Sequence, residues 1–202
     1  MSGRAAAKTE DARRIARRFG VEFFDGDRRH GYGGYRYHPR FWRPVVPAFI
    51  ERYGLRAGHR VLDVGCAKGF LLHELARAVP GLDVRGVDVS PYAIDQSMAD
   101  VRPRLAVADA ESLPFDDRSF DLVISLTTLH NLPRDACERG FAEVQRVGRG
   151  RAFVTVDAYR DESERQRMEA WNLTALTVLH VDGWRDLFAR VGYRGDYFWF
   201  MP

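Results

Sequence analysis

The sequence predicts an α/β fold: a doubly wound, mainly parallel sheet with a helical cap at the N-terminus. Two observations predict it. From residue 60 onward, short apolar runs alternate with segments in which apolar residues recur at helical spacing. The first apolar run also enters a glycine-spaced turn that opens a helix. Because strands joined through helices lie parallel, we expect helices to cover both faces of the sheet.

Length and composition indicate one globular domain with a short N-terminal extension. A chain of 202 residues can bury a full core, and 46% hydrophobic with 29% charged residues is ordinary for such a domain. No apolar run approaches the roughly 20 residues that cross a bilayer. The first residues lack the apolar core of a secretory signal, so we expect a cytoplasmic protein without a membrane partner. Two cysteines are too few for a disulfide framework or a cysteine-based metal site, and we expect no metal.

The net charge of +3 is distributed unevenly. Residues 1–60 hold fourteen Lys/Arg and six Asp/Glu, a local charge of +8, so the remainder sums to −5. A basic region of this kind can attract nucleic acid or an acidic substrate. The arginines are scattered, however, and several fall on a helix whose other face is apolar. We therefore favour a solvated helix face over a nucleic-acid partner.

The N-terminal region, residues 1–55, is predicted to cap a domain that spans residues 56–202. Apolar residues at helical spacing predict a helix over 7–19, which a glycine ends. A second helix is predicted to begin near Pro44 or Pro47, because proline suits the first helical turn, and to end at Gly54.

Between these helices, residues 25–38 are rich in glycine and aromatic residues and show no period, which indicates a loop. Two interpretations of its rings stay open. Tyrosine supplies apolar area and a hydroxyl, and the glycines allow movement, so the loop can be a lid over an active site. The same rings can instead pin the N-terminal region to the domain. The residues concerned are Tyr32, Tyr35, Tyr37 and Trp42.

Six strands are predicted in the larger domain, with amphipathic helices between them. The strands cover residues 61–65, 83–89, 104–108, 120–126, 151–157 and 197–200. Ser90 and Pro91 form a helix start after the second strand, as an N-cap and a first-turn proline. Only one strand follows the last helix, which Gly192 ends.

The turn after the first strand carries the strongest chemical signal. Gly65 and Gly69 permit positive φ and let a ligand lie against the backbone. Asp88 follows at the carboxyl end of the second strand, where an acid can accept hydrogen bonds from both hydroxyls of a ribose. The turn lacks the third glycine of the G-x-G-x-x-G pattern, which favours a nucleoside cofactor without a pyrophosphate.

Four segments in this order resemble the class I S-adenosylmethionine-dependent methyltransferases, over roughly residues 55–200. They are Val61-Leu62-Asp63-Val64-Gly65-Cys66-Ala67-Lys68-Gly69, Val87-Asp88-Val89-Ser90, Ala108-Asp109-Ala110-Glu111-Ser112-Leu113-Pro114-Phe115 and Ser119-Phe120-Asp121-Leu122-Val123-Ile124-Ser125. The resemblance implies a Rossmann-like methyltransferase fold and S-adenosyl-L-methionine as cofactor. The family usually ends in an antiparallel pair of strands, so we expect a shortened sheet edge here or one that a second copy completes in a homodimer.

The resemblance also implies roles in the methionine half of the cofactor site. Asp63 would lie near the cofactor's ammonium group. The residues that would line the methionine moiety are Gly65, Cys66, Ala67 and Gly69. Ala67 stands where many members have glycine, and its small methyl group is expected to do little harm. Lys68 is expected to point to solvent.

For the nucleoside half, the resemblance implies that Asp88 holds the ribose hydroxyls and that Val89 packs on the adenine. Asp109 would accept a hydrogen bond from the adenine amino group, and the backbone amide of Ala110 would meet a ring nitrogen. Two residues at the end of the fourth strand would lie beside the sulfonium: Ser125 and Leu126.

The methyl acceptor is predicted to bind beyond the fourth strand. His130 is the candidate catalytic base by position and by the pKa range of histidine, although in this family a histidine there often only shapes the pocket. Residues 161–182 often cover the acceptor in this architecture, which makes Trp171, Asn172 and His180 candidates for substrate contact. Trp171 can equally be a buried anchor.

The predicted function is methyl transfer to an O or N atom of a small molecule, because the compact cap leaves no added module for recognising a macromolecule. No Asn/Asp-Pro-Pro-Tyr/Phe motif follows the fourth strand, which argues against methyltransferases that act on adenine or glutamine amino groups. Two alternatives stay open: an RNA or protein methyltransferase, and a protein that binds S-adenosylmethionine for a reaction other than methyl transfer.

Overall fold

The computed structural model describes residues 8–202. Residue 7 of the predicted first helix and the first seven residues of the predicted cap lie outside this range. The described chain is an α/β structure in which helices cover both faces of a seven-stranded sheet.

All strand pairings in the sheet are parallel. The strands are β1 (Arg60–Val64), β2 (Asp83–Asp88), β3 (Leu105–Val107), β4 (Leu122–Leu126), β5 (Ala152–Tyr159), β6 (Leu179–His180) and β7 (Asp196–Phe200). Their order is β3-β2-β1-β4-β5-β6, and β7 also pairs with β5. The chain reverses its direction of winding between β1 and β4. Ligands of such sheets bind at this point, beyond the carboxyl ends of the strands.

Helices precede the sheet and connect its strands. They are α1 (Glu10–Ala16), α2 (Val21–Phe24), α3 (Pro39–Trp42), α4 (Val46–Tyr53), α5 (Phe70–Ala78), α6 (Pro91–Asp95), α7 (Arg134–Val147), α8 (Glu162–Trp171) and α9 (Val181–Val191). The predicted starts and ends have physical causes. The Ser90 side chain accepts a hydrogen bond from the Ala93 N–H at the start of α6, and Gly54 and Gly192 adopt left-handed conformations that end α4 and α9.

Two apolar clusters confirm that both faces of the sheet are covered. On one face, Phe141 of α7 and Trp184 of α9 pack against the sheet. On the other face, Phe49 of α4 and Leu72 and Leu75 of α5 form the second cluster. Successive residues of a strand alternate between these faces, which explains why β1 and β4 are apolar almost throughout.

At the edge of the sheet next to β5, β7 lies beside most of β5, and β6 pairs only with its last two residues. Residues 153–155 of β5 pair with β4 on one side and with β7 on the other. The predicted final strand is therefore confirmed, and it runs parallel to β5 rather than in the antiparallel pair that is usual for the family. Within residues 8–202 no further strand pairs with β7, and the rings of Tyr197 and Phe198 are exposed.

Two short helices and one longer helix were not predicted. α2 and α3 flank the aromatic loop, and α8 lies in the segment predicted only to cover the acceptor. α8 carries little apolar periodicity because half of its residues are charged, so its sequence gives a weak helical signal. No helix in the described part of the chain has the length and apolar character needed to cross a bilayer.

Candidate active site

The glycine turn lies at the carboxyl end of β1, at the point where the strand order reverses. Gly65 has φ +84°, and a Cβ at this position would lie 2.0 Å from the Thr128 hydroxyl oxygen. Gly69 has φ +74° and precedes α5. Gly65 is required both for its backbone conformation and for the close approach of the loop after β4.

Ala67 also adopts a left-handed conformation, with φ +47°. This conformation costs an L-residue roughly 1–2 kcal/mol. Its N–H donates to the Asp88 carboxylate at 2.8 Å, which holds the turn in place. The substitution of alanine for glycine in the turn therefore carries strain, contrary to the expectation that it does little harm.

Asp88 lies at the end of β2, as the sequence predicted. One carboxylate oxygen accepts from the Ala67 N–H and the other from the Ser90 N–H, at 2.8 and 2.9 Å. Burial raises the pKa of Asp88, and the two backbone hydrogen bonds oppose that rise. Each oxygen retains acceptor capacity, so the carboxylate can still accept hydrogen bonds from two ribose hydroxyls.

Asp63 is a buried carboxyl group that has no compensating partner in the described part of the chain. Only 4% of the residue is exposed, and no N–H or O–H of residues 8–202 donates to its side chain. Burial, together with the charge of Asp88, raises the pKa of Asp63 to about 7. An unpaired buried carboxylate is costly unless a ligand supplies the cation, and the cofactor's ammonium group is such a cation.

The other predicted cofactor residues lie at the same edge of the sheet and differ in exposure and hydrogen bonding. Val89 follows β2 and is 53% exposed. Asp109 is exposed and accepts from the Glu111 N–H, while Ala110 is half-buried. The Ser125 hydroxyl donates to the Val64 carbonyl at 3.0 Å, which joins β4 to β1. Leu126 ends β4, and Cys66 is buried.

The aromatic loop lies against the glycine turn. The Tyr35 ring stacks on Phe70 at 4.9 Å. Burial, then the charges of nearby groups including Asp63 and Asp88, raises the pKa of Tyr35. Burial and the nearby charge of Asp88 also raise the pKa of Tyr32. Tyr32 and Tyr35 therefore border the carboxylates predicted to hold the cofactor.

The sequence predicted that Lys68 points to solvent, but the structure shows its side chain buried. Its side chain is 9% exposed, and its ammonium group pairs with Asp25 at 2.5 Å. Asp25 also accepts from the Tyr92 hydroxyl and from the Tyr35 N–H. Because Lys68 lies within the glycine turn, this ion pair connects the N-terminal region directly to that turn. Sequence spacing gave no signal for the pair, since its members are 43 positions apart.

Tyr37 faces a different part of the molecule from Tyr32 and Tyr35. Its hydroxyl donates to Glu74 on α5, and its ring contacts Phe70 and His73. Glu74 is also paired with Arg77. Tyr37 thus connects the N-terminal region to α5, whereas Tyr32 and Tyr35 lie near the carboxyl groups at the glycine turn.

His130 lies in the loop after β4 and is almost fully buried. Its Nδ1 accepts from the Asp157 N–H at 3.2 Å, so the ring proton resides on Nε2, which lies 3.7 Å from the Asp157 carboxylate. Burial lowers the pKa of His130 to about 3. A neutral ring whose acceptor nitrogen is already bonded is poorly suited to take a proton, so the geometry favours the pocket-wall role.

The candidate substrate-contact residues beyond β5 differ in how far their side chains are available to a ligand. Trp171 ends α8 and is 43% exposed, so its ring can contact a ligand. The Asn172 side chain closes a turn through two hydrogen bonds with Ala175. His180 contacts the Arg160 carbonyl and accepts from the Asp182 N–H at the start of α9. Both polar side chains are therefore already engaged in local structure.

Asp157 at the carboxyl end of β5 was not predicted. It is 7% exposed, and burial raises its pKa to about 6, an effect that the charge of Lys8 opposes. An acidic residue in an otherwise apolar strand was the available signal. Thr127 was also missed: it has φ +53°, a strained conformation for a β-branched residue, at the junction of β4 with the site.

Comparison with known proteins identifies a methyltransferase domain. Residues 61–150 match the model of a methyltransferase domain. Methyltransferase GfsG of Streptomyces halstedii is 33% identical over 73% of this chain and 57% of its own length. Aklanonic acid methyltransferase DauC of a Streptomyces species is 37% identical over 46% of this chain and 46% of its own length. The chain thus spans about half the length of these curated relatives.

A solved structure has the same fold. It is a putative methyltransferase from an antibiotic biosynthesis pathway of Anabaena variabilis, which is 27% identical, with a TM-score of 0.57. The match covers 76% of this chain and 62% of that structure.

Proposed function

Because the chain carries a methyltransferase domain of the class I S-adenosylmethionine-dependent family, we propose that it transfers a methyl group to an O or N atom of a small molecule. The observation that carries this proposal is the carboxyl pair of Asp63 and Asp88 beside the glycine turn. S-adenosylmethionine supplies an activated methyl group on a sulfonium, which is an excellent leaving group. Positioning of the two reactants can then provide much of the rate.

The chain's residues would divide the cofactor between two carboxylates. Asp63 would bind the ammonium group, and the pKa of Asp63 would fall as the ion pair forms. Asp88 would accept the ribose hydroxyls while the Ala67 and Ser90 amides hold its orientation. Gly65, Cys66, Ala67 and Gly69 would line the methionine moiety.

Around the adenine, Val89 would pack on the ring, and Asp109 with the Ala110 amide would meet its polar edge. Ser125 and Leu126 would lie beside the sulfonium through their position at the end of β4. Residues 1–55 would act as a cap, in which Tyr32 and Tyr35 cover the cofactor and the Lys68–Asp25 ion pair keeps them in place.

The acceptor would lie beyond β4 and β5, where His130 would contribute as a neutral wall and Trp171 as an aromatic contact. A small acceptor would fit beneath the N-terminal region, which contacts the glycine turn through the Lys68–Asp25 ion pair. A relative named for aklanonic acid supports this class of substrate. The cytoplasmic location expected from the sequence stays a prediction.

A homodimer is a second proposal, motivated by the open edge of β7. This edge presents unpaired backbone groups and the 57% exposed ring of Phe198. Pairing with a second copy would cover both. A monomeric mass in light scattering at tens of micromolar would contradict the dimer and leave the methyltransferase proposal intact.

Calorimetric titration with S-adenosylmethionine and its demethylated product tests the proposed function. We expect binding, and we expect Asp88→Ala to weaken it by about 1.5–3 kcal/mol. Mass spectrometry of candidate acceptors should then detect the gain of one methyl group. Well-folded protein that binds neither compound would overturn the proposal. Binding with no methylated product across a broad acceptor panel would favour a reaction other than methyl transfer.

A further inference from the structure

Asp157 belongs to a cluster that joins a buried carboxylate to aromatic rings. Phe200 of β7 is the register partner of Asp157 on β5, and the Phe200 ring lies 5.8 Å from that of Trp171. Val154, Val156 and Ala158 pack into the apolar cluster on one face of the sheet, so Asp157 faces the opposite side. Trp199 packs on that same cluster, which places Phe200 on the face that carries Asp157.

An ammonium group of the protein already lies in this cluster. The Lys8 Nζ is 5.0 Å from the centre of the Trp171 ring. Lys8 is also the residue whose charge stabilises the Asp157 carboxylate against the effect of burial. A carboxylate beside an aromatic face is the arrangement that recognises ammonium ions.

The remaining surroundings of Asp157 leave its carboxylate available. Within residues 8–202 no N–H or O–H donates to it within hydrogen-bond distance, and the nearest ring nitrogen is His130 Nε2 at 3.7 Å. The backbone of Asp157 is fixed instead: its N–H donates to His130, and its carbonyl accepts from the Trp184 indole at 2.9 Å. The carboxyl group is thus held rigidly without being neutralised by a direct partner.

Space for a ligand lies next to the cluster. A cleft of about 330 Å³ is lined by Tyr159, two residues beyond Asp157 on the same face of β5, and by Met168 and Asn172, which flank Trp171 in sequence; none of the cluster's own three residues lines it. Arg165 also lines the cleft, but its charge is paired with Glu162 and Glu169. The cleft is therefore compatible with a cationic ligand.

We propose that Asp157, Trp171 and Phe200 form a binding site for the cationic amine of the methyl acceptor, which would take the place of the Lys8 ammonium group on the Trp171 ring. This deepens the proposed function, on which it rests. Lys8 would have to leave Trp171 when the amine binds. The site selects acceptors that carry an amine over isosteric neutral alcohols, and His130 is a positioning residue that orients Asp157.

The test uses benzylamine, charged at neutral pH, and benzyl alcohol as its neutral counterpart. Binding to the full chain is followed by NMR shifts of the tryptophan indole N–H groups, with the Trp171 signal assigned through Trp171→Phe. We expect benzylamine to shift the Trp171 signal at millimolar concentration and to bind at least tenfold more tightly than the alcohol. Asp157→Asn should remove this preference, and Lys8→Gln should tighten amine binding about threefold or more.

Asp186→Asn is the matched control, because Asp186 is an exposed carboxyl group on α9 outside the cluster. It should leave the preference unchanged. Equal affinity for amine and alcohol, or an unchanged preference in Asp157→Asn, would overturn the amine site. Titration of each variant with S-adenosylhomocysteine separates the two proposals. Wild-type protein that does not bind this compound contradicts the methyltransferase proposal, whatever the amine does.

Discussion

Asp63 and Glu74 are two buried carboxyl groups eleven positions apart, and the molecule treats them in opposite ways. Glu74 is 1% exposed and accepts from Arg77, Tyr37 and Arg43. Burial tends to raise the pKa of Glu74, but these hydrogen bonds and charges leave it below its usual value. Asp63 is buried to a similar degree, has no donor among residues 8–202, and has a pKa raised to about 7.

We propose that the difference separates structural acids such as Glu74 from acids such as Asp63 that bind a ligand. A buried carboxylate that serves the fold brings its own cations, because an unpaired charge in the interior lowers stability. A carboxylate reserved for a cationic ligand must lack them until that ligand arrives. The N-terminal region therefore contacts Glu74, whose carboxylate has hydrogen-bond donors and cationic partners. The carboxyl group of Asp63, beside the glycine turn, has neither among residues 8–202.

Asp63→Asn gives the largest effect and acts in opposite directions on binding and stability. Loss of the negative charge should weaken S-adenosylhomocysteine binding by about 3 kcal/mol, roughly a hundredfold. Because the folded-state pKa of Asp63 lies above its unfolded value of roughly 3.9, ionisation destabilises the native state fully above pH 7 and not at all below about pH 4. The variant should therefore gain stability on the order of 2 kcal/mol at pH 8.

Calorimetric titration and urea unfolding at pH 5 and pH 8 measure both effects of Asp63→Asn. The gain in stability should shrink at pH 5, where wild-type Asp63 is largely protonated. An affinity within threefold of wild type would remove Asp63 from the ammonium role.

Glu74→Gln provides the matched comparison and should have the opposite effect on stability. We expect a loss of about 2 kcal/mol in the free energy of unfolding at pH 7, since hydrogen bonds to a charged group weaken. The pKa of Glu74 is lowered by folding, so its contribution is present above its unfolded pKa and is lost as the pH falls through the folded value. Cofactor affinity should stay within twofold of wild type. A tenfold change would mean that Glu74 acts on the cleft and would break the distinction.

The pH dependence of cofactor affinity in the wild-type protein should follow Asp63. Below about pH 7 the carboxyl group is neutral, so affinity should fall about tenfold between pH 7.5 and pH 6. An amino group of the cofactor loses its own charge above roughly pH 8, so the optimum should lie between these values. Titrations with S-adenosylhomocysteine from pH 5.5 to 8.5 measure the profile. Asp63→Asn should lack the fall on the acidic side.

The sequence predicted the sheet and the ends of many helices because these depend on local signals. Gly54 and Gly192 ended helices as expected, and the apolar runs became strands. The position of Asp88 at the end of β2 also followed from chain order alone. These features need only periodicity, turn chemistry and the geometry of parallel strands.

Features that depend on contacts across long sequence separations were missed. Lys68 was expected in solvent because nothing near it in sequence indicates Asp25. The state of His130 depends on the backbone of Asp157, 27 positions away, and on burial that periodicity does not report. The strain at Ala67 and Thr127 likewise arises from loops packed together in space.

Lys68→Met tests whether the ion pair to Asp25 holds the cap over the cofactor. The substitution keeps the length and apolar contacts of the side chain but removes its charge. We expect cofactor dissociation to accelerate about fivefold, equivalent to about 1 kcal/mol, in stopped-flow measurements.

A double-mutant cycle with Asp25→Asn isolates the ion pair from the other contacts of Asp25 with Tyr92 and Tyr35. The two substitutions together should accelerate dissociation less than the product of their separate effects. Additive effects would show that the two side chains act independently and that the cap closes by its aromatic contacts alone.

Ala67→Gly has the smallest expected effect and tests whether the left-handed backbone of the glycine turn is strained. Glycine relieves the left-handed backbone at φ +47° but adds freedom to the unfolded chain, so we expect a net stabilisation of about 0.5 kcal/mol. Arg118→Gly is the control, because Arg118 has φ +52° away from the cleft. Urea unfolding should give both variants a similar gain, whereas only Ala67→Gly should change cofactor affinity. If neither variant is stabilised, the left-handed conformations carry no strain, and Asp63 remains as the unfavourable feature of the cleft.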